Sequence, residues 1–95
     1  MATRHLKAHF MLTTGHQLRA ARSLLGWKQE DLSVKAGVGV NTVRRMEGFG
    51  PKEINAYGAT IRAVQRALEK AGIEFIAENG GGPGVRLKKP RRAKR

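Results

Sequence analysis

The twenty-one residues Gln29 to Phe49, QEDLSVKAGVGVNTVRRMEGF, constrain the fold more than any other stretch of the chain. Leu32 and Ala36 stand four apart and Val43 and Met46 three apart, the intervals that place side chains on one face of a helix. Ser33 supplies the small side chain needed where two helices cross closely. Gly37 lies between the two patterns. A residue that ends one helix and sends the chain into another at a steep angle commonly needs a positive φ, which glycine adopts without penalty. The spacing therefore predicts two short helices joined by a tight turn, the second bearing Arg44 and Arg45.

The flanking sequence extends this helical pattern. Thr14 followed by Gln17 forms a capping box, and Leu18, Ala21, Arg22 and Leu25 share one face until Gly26, which predicts a helix over Gly15–Leu25. Trp27 reads as a packing residue wedged between that helix and the next. Gly48, Gly50 and Pro51 punctuate a loop that runs to Gly58. A helix over Ala59–Ala71 follows, with Ile61, Val64, Leu68 and Ala71 inward, Arg62, Arg66 and Lys70 in solvent, and Gly72 as its stop.

Beyond Gly72 the period changes from helical to alternating. Ile73, Phe75 and Ala77 interleave with Glu74, Ile76 and Glu78, and Val85 and Leu87 with Arg86 and Lys88, the pattern of a β-hairpin. Its link, Asn79 to Gly84, is glycine-rich, but no Lys-Ser or Lys-Thr follows and no helix opens after it, so it reads as a turn and not as a phosphate loop. A lone two-stranded hairpin is marginal in water. It is expected to pack on its own helices and to pair or swap with the hairpin of a second subunit, with Ile73, Phe75, Ile76, Val85 and Leu87 at the dimer interface. The domain reading is a flexible arm over 1–13, a helical domain over 14–72, the hairpin over 73–88 and a basic disordered tail over 89–95.

From Thr14 to Ala71 the chain resembles the XRE-type family of phage repressor and Cro-like helix-turn-helix domains. The likeness rests on Gln29 opening the first helix of the motif, Ser33 at the small position, Gly37 in the turn, Val43 and Met46 as core contacts and Glu47 near the end of the second helix. QLRAARSLLGW, Gln17–Trp27, matches the family's preceding helix. The resemblance implies a mainly α, lambda-repressor-like domain of about four helices, to which this chain adds its hairpin where the family continues with a further short helix. It implies a structural ion pair between Arg22 and Glu47. It also implies a second motif helix lying in the major groove of double-stranded DNA. Base contacts would then fall to Val40, Asn41, Thr42, Arg44 and Arg45, with Asn41 suited to adenine, Arg45 to guanine and Val40 to a thymine methyl. Lys28, Gln29, Gly39 and Lys52 would meet backbone phosphates. The implied function is a repressor-type transcriptional regulator that binds a palindromic operator as a homodimer.

Composition bounds the alternatives. Ninety-five residues, 40% of them hydrophobic, suffice for one small domain but not for a deep catalytic cavity. No serine–histidine–aspartate set or carboxylate pair stands in a supporting context, and the chain is not expected to be an enzyme or to need a cofactor. The absence of cysteine removes zinc fingers with cysteine ligands. His5 and His9 have helical ligand spacing but no third ligand in reach, so no metal site is expected. No run approaches the roughly 18 apolar residues of a membrane span, and no secretory leader is evident, so a cytoplasmic protein is expected. Met11 offers an alternative start, with the preceding residues as an upstream extension.

The net charge of +12 favours a polyanionic partner. Seven of the nineteen basic residues fall within Arg86–Arg95, leaving +5 on the first 85 residues, so the tail adds affinity more than sequence choice. A reading from another class also fits the residues: a protein-interaction module, such as an antiactivator or antitoxin, that engages a second regulatory protein through hairpin and tail.

Overall fold

The computed structural model describes residues 11–76 and 80–88, and these form a mainly helical fold. Among the described residues four helices and one antiparallel hairpin follow in order: α1 (Gly15–Leu25), α2 (Gln29–Ala36), α3 (Val40–Glu47), α4 (Gly58–Lys70), β1 (Ile73–Ile76) and β2 (Gly84–Leu87).

Helix ends follow from local chemistry. The Thr14 hydroxyl accepts from the Gln17 backbone N–H, and the Gln17 side-chain oxygen accepts in return from the backbone N–H groups of Thr13 and Thr14. Gly26 and Gly37 close α1 and α2 in the left-handed region, at φ +70° and +71°. Across the turn after α2 the Ser33 hydroxyl donates to the Val38 carbonyl at 2.6 Å, so the small residue at the crossing also pins the turn. Ala71, expected on the inner face of α4, is exposed instead. Helix α4 ends at Lys70, and the Ala71 N–H closes on the carbonyls of Ala67 and Leu68 before Gly72, at φ +112°, turns the chain into β1.

The core collects side chains from all four helices and from β1. Leu18 and Ala21 of α1, Leu32 of α2, Val43 and Met46 of α3, and Val64 and Leu68 of α4 are fully buried, and Ile73 and Phe75 of β1 join them. Leu25, Trp27, Ala36, Val38, Phe49, Ile61 and Val85 pack around this centre. In the hairpin Ile73 faces Leu87, Glu74 faces Arg86, Phe75 faces Val85 and Ile76 faces Gly84. A Glu74–Arg86 ion pair at 3.0 Å supports the register from the solvent side.

Two boundaries differ from the sequence expectation. Leu12 and Thr13 are not part of a loose arm: Leu12 is buried and its N–H donates to the Gln65 side chain, while the Thr13 carbonyl accepts from the Ile54 N–H at 2.7 Å. Nor does the hairpin stand apart from the helices that precede it. Alternation turns Ile73 and Phe75 toward the helices, where burial of two large apolar side chains holds the strand down. These two residues are therefore corrected from dimer interface to protomer core. Ile76 and Val85 are half-buried and Leu87 is 47% exposed. The arm over 1–10 with His5 and His9, the strand continuation over 77–79 and the basic tail over 89–95 lie outside the described residues.

Candidate nucleic-acid interface

Helix α3 is amphipathic, and its inner face is fixed in depth. Val43 and Met46 have no solvent exposure, whereas Asn41, Arg44 and Arg45 project into solvent and Val40 and Thr42 lie half-buried at the flank. The five side chains expected to face bases are thus brought to one surface, with the three polar long ones outermost.

Three contacts seat the C-terminal end of α3. Glu47 is 7% exposed and accepts from Arg22 Nε at 2.7 Å, Arg22 Nη2 at 3.1 Å and the Gln29 amide at 3.1 Å. Arg22 Nη1 reaches on to the Trp27 carbonyl at 2.9 Å, so one guanidinium ties α1, the α1–α2 turn and α3 together. The hydrogen bond to Glu47 raises the Arg22 pKa above its ordinary value, against the opposing effect of burial, with the nearby charges of Glu47 and Glu30 adding to the rise. Behind this pair the helices meet backbone to backbone at Gly15. A Cβ there would lie 2.6 Å from the Glu47 carbonyl oxygen and from the Gly50 nitrogen, and the His16 N–H donates to the Gly50 carbonyl at 2.8 Å. The Gly15 approach was not visible in the sequence, where it reads as an ordinary first-turn residue.

The expected phosphate contacts divide. Lys28 and Lys52 are exposed, and Gly39 leads into α3 without a side-chain cap. Gln29 points one amide hydrogen inward onto Glu47, which leaves its backbone N–H and second amide hydrogen for any outward contact. The start of α2 is also partly taken by the chain itself, since the Asp31 carboxylate accepts from the Lys28 N–H at 2.8 Å and Glu30 lies in the same turn.

On the outer face Arg44 Nη1 donates to Asn41 Oδ1 at 2.7 Å, and Arg44 Nη2 lies 4.0 Å from Glu30. Arg45 sits between two shallow clefts. One of ≈ 360 Å³ is bounded by Gly48 and Phe49, and the other of ≈ 370 Å³ by Asn55, Ala56 and Tyr57. Tyr57 is 86% exposed although aromatic, and it borders the same surface as Arg45. Sequence reasoning passed over Asn55 and Tyr57 because the loop's glycine and proline punctuation hides which of its residues return beside α3.

Chemically the surface offers guanidinium and amide donors, one aromatic ring and a methyl-bearing flank, a set matched to base edges and phosphates. Among the described residues no group of three histidine, aspartate or glutamate side chains could hold a metal ion, and no helix is long and apolar enough to cross a membrane. No protein-family model and no curated protein matches the chain.

Proposed function

We propose that this chain is a sequence-specific regulator of transcription, of the repressor type, that binds double-stranded DNA through α3 on a lambda-repressor-like helix-turn-helix. The observation that carries the reading is the two-faced character of α3: Val43 and Met46 are wholly buried while Asn41, Arg44 and Arg45 stand in solvent on the opposite side. A helix anchored in this way offers a rigid row of hydrogen-bonding groups, and the major groove is wide enough to admit it. The excess positive charge supports the same reading, because binding to a duplex releases condensed counterions. Two copies acting in the cytoplasm on a palindromic operator complete the proposal, with Leu87, Ile76 and Val85 as the remaining hairpin side chains for a dimer contact.

A gel shift at fixed salt, with DNA from upstream of the protein's own gene and excess competitor, is expected to give a discrete complex; a complex that vanishes with competitor would overturn the reading. Arg45→Ala is expected to relax preference at one base pair with a loss of about 1–3 kcal/mol, whereas Lys28→Ala weakens binding to all sequences and lowers the salt slope by about one.

A further inference from the structure

Arg44 is engaged by its own protein. Its guanidinium donates to Asn41 Oδ1 at 2.7 Å, one turn earlier on α3, and lies 4.0 Å from the Glu30 carboxylate across the motif on α2. All three side chains are exposed, so the chain Glu30–Arg44–Asn41 runs over the surface that the proposed function turns toward DNA.

We propose that Arg44 and Glu30 are positioning residues: Arg44 acts on base reading through Asn41, and Glu30 holds Arg44 in place. This rests on the DNA-binding reading of α3. An asparagine amide has two orientations related by a half-turn, and a base edge distinguishes them, because one presents oxygen where the other presents NH₂. A cation bonded to Oδ1 excludes the flipped form, which would aim N–H donors at a positive charge. The Asn41 NH₂ group and one oxygen lone pair are then held in a single arrangement before any base arrives, so less freedom is lost on binding. Arg44 is thereby not assigned the base contact that its position in α3 first suggests.

Glu30 would otherwise be out of place. An exposed carboxylate beside a DNA-facing helix repels phosphates within about a Debye length, roughly 8–10 Å, and opposes the attraction of a strongly basic chain. Its position opposite Arg44 accounts for it. The device exchanges some general attraction for a fixed amide.

The test begins with selection of an operator from a randomised duplex library by the full-length protein. Binding of wild type, Asn41→Ala, Arg44→Ala, the double variant and Glu30→Gln is then measured on duplexes that change one base pair at a time, after thermal melts show that each variant folds. Asn41→Ala and Arg44→Ala are expected to flatten preference at the same base pair, by about tenfold each, with no further loss in the double variant. Glu30→Gln is expected to bind unrelated DNA more tightly and yet lose several-fold preference at that same base pair. The proposal is overturned if Arg44→Ala flattens a different base pair, if it weakens all duplexes equally, or if Glu30→Gln strengthens all duplexes by one factor. Failure of the wild-type protein to select any sequence would overturn the DNA reading itself, and the positioning roles with it.

Discussion

Glu47 shows how much a single side chain does in a domain this small. Its carboxylate is nearly out of water and accepts from Arg22 twice and from Gln29 once, so each partner has exchanged solvent for a protein contact. Such a pair adds little net stability when intact but leaves an uncompensated charge when broken. Glu47→Ala is therefore expected to destabilise the fold by about 3–5 kcal/mol in urea denaturation, and a double change to Arg22→Met with Glu47→Leu to recover most of that loss. Because the Arg22 pKa is raised, its side of the interaction is fully present below the ordinary arginine range and fades only as the pH climbs through the still higher folded value. Melting temperatures should accordingly show no weakening attributable to Arg22 between neutral pH and mild alkali. The partnership of residues 22 and 47 was legible only through family resemblance, since nothing in either residue's neighbourhood points to the other. The Arg44–Asn41 contact lies at helical spacing and was open to sequence reasoning; Glu30 as a third member was not, because it needs the crossing of α2 and α3.

Among the elements, two glycines separate backbone strain from steric exclusion. Gly37 closes α2 at φ +71° with nothing within 4 Å of the place an alanine methyl would take, so Gly37→Ala carries only the left-handed penalty of about 1–2 kcal/mol. Gly15 has an ordinary helical φ but faces the backbone of α3's exit, which cannot swing aside as a side chain would. Gly15→Ala is thus expected to exceed Gly37→Ala, at about 3 kcal/mol by chemical denaturation, because α3 must be displaced to make room. Comparable losses for both would show that α1 and α3 can part without penalty. The helix limits could be read in advance because their signals are local: a capping box at Thr14 and Gln17, and glycines where a positive φ is needed. The docking of β1 could not, since alternation separates Ile73 and Phe75 from Glu74 and Ile76 but does not say whether that face meets the chain's own helices or a second copy.

For the whole molecule, the hairpin's burial changes what a truncation would measure. Removing everything after Gly72 strips Ile73 and Phe75 from the core, a loss of about 2–5 kcal/mol for each large side chain against a total stability of about 5–15. The expected result is loss of a cooperative melt, so subunit assembly is better probed by Leu87→Glu, which leaves the core intact. Sedimentation should then report a lighter species for the variant than for the parent; equal masses would remove the exposed side of the hairpin as a contact between copies. The capture of Leu12 and Thr13 was hidden because their partners, Gln65 and Ile54, lie 40 or more residues away. Gln17 does more than its capping box with Thr14 announces: it is buried, and its amide donates to the Gly84 carbonyl, joining α1 to β2. The bond from the His16 N–H to the Gly50 carbonyl has a further consequence. Amides in the first turn of a helix lack acceptors within it and ordinarily exchange deuterium fast. The His16 proton should exchange slowly, making one resonance a built-in gauge of whether α1 is seated against the exit of α3.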